Sequence, residues 1–311
     1  MSRPVGDGGL RRRVLAVVAV AVLVGTVGCA SDPDPAASGG AASTSAVGAL
    51  AGVPSRPLPE GCVPEEPERL VPEVVVTYPH DPTAFTQGLL QVGDELYEGT
   101  GIVGRSEVRR VDLATGAVLD RSPVPGSEFG EGLSRGADGR LVQLTWRDGV
   151  AFVRDPETLE VVDRWSYEGE GWGLTTLDDG TFVLSDGSDT LTWRDGATFE
   201  PEQRVRVQRS DGPTDRLNEL DWDGERIWAN RWQADEILRI DPRCGTVDGV
   251  VDASSLSDAV RALPVPVGID PPDVLNGVSV VPDSDRYLIT GKRWPLLYVV
   301  RFVPAGSATP G

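Results

Sequence analysis

Ten residues of this 311-residue chain stand at two matched registers of a repeat, and together they hold the parts of a proton-transfer site. The first register supplies Gln87, Glu131, Trp172, Asn218 and Asn276. The second supplies Gly101, Trp146, Gly187, Trp232 and Lys292. The paired members lie 14, 15, 15, 14 and 16 residues apart. A lone carboxylate among them can take and return a proton. A lysine and amides can hold a developing negative charge. The tryptophans form apolar walls for an organic ligand, and the two glycines clear space. Phe85 and Phe129, each two residues ahead of Gln87 and Glu131, extend the walls. Each residue alone has a plainer reading. A single tryptophan in a strand is usually core, Glu131 can satisfy backbone amides, Lys292 can pair with a carboxylate, and Asn218 and Asn276 can form turns. The whole set favours a pocket.

The elements that must position these residues read as β-strands. Each first-register residue lies in a short segment ending in Leu or Val: Gln87-Gly-Leu89, Glu131-Gly-Leu133, Trp172-Gly-Leu174, Asn218-Glu-Leu220 and Asn276-Gly-Val278. A second apolar strand follows each. Turns of the Asp-x-x-Thr/Cys kind recur at Asp112, Asp155, Asp195 and Asp241, separated by 43, 40 and 46 residues. Such turns between β-branched runs mark antiparallel hairpins. A period near forty residues with about four strands per unit predicts propeller blades. Five equivalent registers predict an all-β, five-bladed β-propeller over residues 71–304, in which equivalent innermost positions converge on the axis. A β-sandwich would not produce them. A strand near Val74–Thr77 is expected to close the ring on the last unit. Ser254–Pro272 reads as an insertion, with the best helical pattern at Leu256–Leu263.

The formal net charge of −19 argues against nucleic acid, which demands a basic surface. Residues 1–29 read as a signal peptide. Arg11, Arg12 and Arg13 precede an apolar stretch, Val14–Val27, too short to span a bilayer. Cys29, after small residues, fits a lipidation site, although Thr26 stands where Leu or Val is usual; a plain cleaved leader is the alternative. Both place the protein outside the cytoplasm, touching a membrane only through the lipid. Residues 30–70, rich in Ala, Ser, Gly and Pro, read as a tether, and 305–311 as a tail. With Cys29 acylated, Cys62 and Cys244 remain, and an oxidising compartment favours their pairing.

Phe85-Thr-Gln-Gly-Leu89, Phe129-Gly-Glu-Gly-Leu133, Gly171-Trp-Gly-Leu174, Leu217-Asn-Glu-Leu220 and Gly291-Lys292 resemble, in order, motifs of the plant-type and bacterial glutamine cyclotransferase family. The similarity covers about residues 72–304. It implies a five-bladed propeller that converts the N-terminal glutamine of peptides or proteins to pyroglutamate and releases ammonia. It also implies Glu131 as acid/base, with Phe85, Gln87, Phe129, Trp146, Trp172, Asn218, Trp232 and Lys292 lining the substrate pocket. The substrate carries its own nucleophile, an α-amine with a pKa of about 7.7–8.0, so the protein must hold the bent conformer and move one proton. Gln87, Asn218 and Lys292 are all candidates to hold the oxyanion. No cofactor is required, and no metal ligand set is expected; a structural calcium in the channel is compatible with amide and carbonyl oxygens. His80 reads as a loop residue rather than a ligand. A single closed domain is expected to work as a monomer. Two readings compete. A metal-dependent lactonase-like propeller would place six blades around a cation, and a non-catalytic binding lipoprotein would need no carboxylate in an aromatic pocket.

Overall fold

In the computed structural model, residues 52–306 are described; the stretch expected to be a leader, Cys29 and most of the stretch expected to be a tether lie outside them. The chain is almost wholly β. A long strand β1 (Glu68–Pro79) comes first. The next sheet comprises β2 (Thr86–Val92), β3 (Glu95–Thr100), β4 (Glu107–Val111) and β5 (Val118–Pro123). It is followed by β6 (Gly130–Arg135), β7 (Leu141–Thr145), β8 (Val150–Arg154) and β9 (Val161–Ser166). The third sheet is β10 (Leu174–Thr176), β11 (Phe182–Ser185), β12 (Thr190–Arg194) and β13 (Pro201–Arg206). A small hairpin, β14 (Gln208–Arg209) and β15 (Gly212–Pro213), leads into β16 (Leu217–Trp222), β17 (Ile227–Arg231), β18 (Glu236–Ile240) and β19 (Val247–Asp252). After helix α1 (Ser254–Arg261) come β20 (Leu275–Val280), β21 (Tyr287–Gly291) and β22 (Leu296–Pro304).

The first three sheets are antiparallel meanders in sequence order. The last two groups join into one eight-stranded sheet, ordered β16-β17-β18-β19-β1-β22-β21-β20. Its seam is the N-terminal strand: β1 runs parallel to β19 over Glu68–Leu70 and antiparallel to β22 from Leu70 to Pro79. The closing strand read at Val74–Thr77 is therefore present, and longer than its apolar core. Its start at Glu68 falls inside the stretch that composition assigns to the tether. Chain before it is also held: Arg56 bonds Gln203 and the carbonyl of Pro242 and stacks on Trp193, and Cys62 is disulfide-bonded to Cys244 with Cα atoms 5.3 Å apart. Specific polar and covalent contacts order a segment whose low apolar content alone could not.

The innermost strands pack in a closed cycle: β2 on β6, β6 on β10, β10 on β16, β16 on β20, and β20 on β2. Apolar clusters lie between successive sheets. Tyr97 and Val108 meet Leu133 and Leu141, Val142 and Leu144 meet Phe182 and Leu184, and Val183 and Leu191 meet Leu217 and Leu220. Trp228 and Ile237 then meet Val278 and Ile289, and Leu288 and Leu297 return to Leu89 and Leu96. No sheet buries its faces alone, so the cycle is the folding unit.

The recurrent aspartates make the turn between the third and fourth strands of four units. Asp112, Asp155 and Asp195 each accept both the backbone N–H and the hydroxyl of the threonine three residues on. Asp241 accepts the N–H of Cys244, which takes the threonine's place and carries the disulfide. The next residue is left-handed in every case: Gly116 (φ 68°), Leu159 (61°), Phe199 (62°) and Gly245 (67°). Leu159 and Phe199 pack fully buried, which offsets the strain their side chains incur there. The helix begins at Ser254, two residues ahead of the apolar pattern that marks it.

Candidate active site

The site residues lie on β-bulges. In four units the residue before the first register pairs with the residue before the second: Thr86 with Thr100, Gly130 with Thr145, Leu217 with Arg231, and Leu275 with Gly291. In each, the register then shifts, between Thr86/Gly88, Gly130/Leu133, Leu217/Leu220 and Leu275/Val278. Gln87, Glu131, Asn218 and Asn276 fall inside these shifts. A bulge re-aims the side chain it carries, so one local distortion, repeated around the ring, turns four polar side chains out of the strand pattern. In the third unit regular pairing begins only at Leu174, and Trp172 is tied to β11 ahead of it by its N–H, which donates to the Ser185 carbonyl at 2.9 Å.

The polar centre is buried. Gln87 is 1% exposed, Glu131 3%, Asn218 2%, Asn276 0% and Lys292 1%. Gln87 Nε2 donates to Glu131 Oε1 at 3.3 Å. Lys292, the only lysine in the chain, holds Nζ 4.8 Å from the Phe85 ring centre, a cation–π arrangement. Its backbone N–H is fixed by the carbonyl of Val274 at 3.0 Å.

Aromatic side chains form a continuous arc around this centre. Phe85 meets Phe129 edge-on at 6.1 Å, and Phe129 meets Trp146 at 6.0 Å. Trp172 meets Trp232 edge-on at 5.6 Å. The two halves are joined by Glu170, whose Oε2 accepts both the Trp146 and the Trp172 indole N–H, at 2.9 and 3.0 Å. Arg147 stacks over Trp146 at 3.5 Å and donates to the other Glu170 oxygen. Trp146 and Trp172 are half-buried and Trp232 is buried. The second-register glycines make room for the protein's own rings rather than for a ligand: a Cβ on Gly101 would overlap the Phe129 ring, and one on Gly187 (φ 79°) would lie 2.7 Å from Trp172. A cavity of about 690 Å³ opens on the far side of Phe85 and Gly101, among Asp81, Arg105, Glu107 and Arg121, and its lining includes neither Glu131, Lys292 nor any of the tryptophans. Asn218 Oδ1 and Trp232 Nε1 are buried and have no partner among the described residues. All the pocket residues read from the sequence are thus on this arc, in the polar centre, or on the adjoining β16.

Three groups escaped the sequence reading. Glu170 is one; it precedes Trp172 by two residues, the offset at which Phe85 and Phe129 stand, and that offset was the available signal. The second is Glu219, one residue past Asn218. It accepts backbone N–H groups from Leu89 on β2 and Val278 on β20, and burial pushes its pKa well up. Glu219 thus fills a role of the plain kind open to Glu131, satisfying strand-edge amides. Asp221 does the same for Val280, and burial raises it to about 6. The third is the surroundings of His80, the only histidine. It does lie in a loop, but it is 6% exposed, with Nδ1 2.7 Å from the Trp294 carbonyl and Nε2 3.0 Å from Glu98. Glu98 also accepts from Thr86 Oγ1, at 2.6 Å, and from Arg109. This buried cluster braces the backbone between Phe85 and Gln87. Among the described residues, no three His, Cys, Asp or Glu side chains converge as a metal-binding group.

Fold and site together define an all-β protein with a propeller-like cycle of sheets and a buried carboxylate, Glu131, set with amides and a lysine beside an arc of aromatic rings that a second carboxylate, Glu170, clamps. A protein-family model described as glutamine cyclotransferase matches residues 44–302. A curated glutaminyl-peptide cyclotransferase of Arabidopsis thaliana is 40% identical over 238 residues, which are 76% of this chain and 72% of the relative. The crystal structure of Myxococcus xanthus glutaminyl cyclase is 37% identical and superposes with a TM-score of 0.71, covering 77% of this chain and 100% of that one. This chain belongs to the glutamine cyclotransferase family.

Proposed function

We propose that this protein is a glutaminyl-peptide cyclotransferase built as a five-bladed β-propeller, with Glu131 as its proton carrier. The five innermost strands and the five apolar clusters between sheets support the blade count, with β1 completing the last blade. The observation that carries the activity is the placement of Glu131: buried, accepting from Gln87, and within an arc of five aromatic rings. The named activities of the two relatives agree with it.

The rings hold the N-terminal glutamine bent, so that its α-amine faces its own γ-carboxamide. The amine nitrogen bonds to the amide carbon, and the carbonyl oxygen takes the negative charge. Glu131 accepts the proton that the attacking nitrogen sheds and delivers it to the departing nitrogen. The carbon–nitrogen bond breaks, and ammonia and the lactam leave. Gln87 is engaged with Glu131, so we assign the oxyanion to Lys292, the site's buried cation. The chemistry needs no cofactor, and a channel calcium would serve structure alone. A Gln-initiated peptide incubated with the protein in a chelator should lose one ammonia by mass spectrometry. A peptide unchanged with and without chelator refutes the reading, and cyclisation that the chelator abolishes and a divalent cation restores refutes the cofactor-free chemistry.

The Cys62–Cys244 disulfide fits an oxidising compartment. With the leader-like N-terminus and Cys29, it supports an extracytoplasmic lipoprotein. Mass spectrometry of the mature N-terminus tests the anchor: an unmodified terminus away from Cys29 removes it.

A further inference from the structure

We propose that Asn276 is a positioning residue that fixes the polarity of the Gln87–Glu131 hydrogen bond, keeping Glu131 an acceptor in the resting enzyme. The inference rests on the cyclotransferase reading and concerns a residue outside the substrate-lining set. Asn276 lies on the bulge of β20, where Gly277 takes φ 117°, a conformation suited to glycine, and its N–H is held by Asn230 Oδ1 at 2.8 Å. This geometry turns the Asn276 amide across to β2. Nδ2 donates to the Thr86 carbonyl at 3.0 Å and to Gln87 Oε1 at 3.1 Å.

The direction of each bond follows from donor and acceptor chemistry. A backbone carbonyl only accepts, so the Asn276 group facing Thr86 must be the NH2 end. Its second hydrogen then points at Gln87, which must present oxygen. The Gln87 amide is thereby oriented, and its NH2 end faces Glu131 at 3.3 Å. A donor there favours the ionised carboxylate, the form that takes a proton. Were Gln87 reversed, its carbonyl would face Glu131 and call for a protonated carboxyl, the wrong form to begin the reaction. The Thr86 carbonyl thus fixes an orientation that passes through two amides to the carboxylate. All three side chains are at most 3% exposed, so bulk water does not compete for these bonds.

Two measurements test this. In the first, kcat and KM of Asn276→Leu and Asn276→Ser are followed against pH with a Gln-initiated peptide. Loss of the lock should lower kcat about tenfold with KM changed less than about twofold, and should move the acid limb of the kcat profile up by about one pH unit, the equivalent of a tenfold bias. Folded variants with an unmoved acid limb overturn the inference. A wild-type enzyme that fails to cyclise the peptide instead overturns the cyclotransferase reading. The second measurement requires no variant. Neutron diffraction of the deuterium-exchanged wild-type protein should place deuterons of Asn276 Nδ2 toward Thr86 and Gln87, and those of Gln87 Nε2 toward Glu131. A Gln87 oxygen facing Glu131 refutes the proposal whatever the activity.

Discussion

Trp146 and Trp172 come from different sheets, yet their indole N–H groups donate to the same oxygen, Oε2 of Glu170, at 2.9 and 3.0 Å. The two half-buried walls of the pocket are therefore one mechanical unit. Glu170→Ala should free both rings. A hydrogen bond to a charged group is worth about 1.5–3 kcal/mol, so KM should rise about tenfold or more, with a smaller fall in kcat. Steady-state kinetics on a Gln-initiated peptide checks this, and an unchanged KM would show that the rings are held by packing alone.

Glu131→Gln keeps the shape of the site and removes its base. We expect kcat to fall by about 10²–10⁴ while the melting profile stays close to wild type. Trp172→Ala and Trp232→Ala should instead raise KM together with lowering kcat, because the proposed mechanism gives them the positioning of the substrate. A folded Glu131→Gln enzyme with wild-type kcat would be falsifying for the proton-carrier role.

The His80–Glu98–Arg109 cluster should give stability a maximum in weakly acidic solution. Burial by itself would raise the Glu98 pKa, but the charges of Arg109 and His80 outweigh it and hold the group below the ordinary range. Its contribution is present above the usual glutamate value of about 4.3 and is lost as pH falls toward the depressed one. Burial would lower His80, but the Glu98 charge outweighs it and the pKa is raised. That contribution is full below the unperturbed histidine value of about 6.5 and is lost as pH rises through the raised one. Both ring nitrogens face oxygens, so ¹⁵N NMR of this single-histidine chain should show an imidazolium at pH 7. Glu98→Gln should return a neutral ring there and destabilise the fold by about 3–5 kcal/mol. A neutral ring in the wild type would disprove the ion pair.

The disulfide closes a sequence separation of 182 residues between the chain ahead of β1 and the β18–β19 turn. Replacing both cysteines by serine should cost about 2–4 kcal/mol in denaturant unfolding. No pocket side chain bonds either cysteine, so kcat/KM at permissive temperature should be unchanged. An activity loss without a stability loss would contradict this assignment.

Sequence alone determined the repeat, the all-β class, the Asp-x-x-Thr turns and the two registers, because each is written in local spacing that recurs unit by unit. It also brought Glu131 forward as the one carboxylate in the first register, and the cysteine count paired Cys62 with Cys244. The tertiary structure decided what depends on neighbours from other sheets. Glu131 and Glu219 are one residue apart in register, and nothing local says which faces the pocket. The bulges do, and a bulge is defined by the partner strand. Glu170 became a clamp only when the ring brought Trp146 beside Trp172. Asn276 reads as one more amide in the sequence; it acquires a direction only because β20 lies against β2, where the Thr86 carbonyl can accept but not donate.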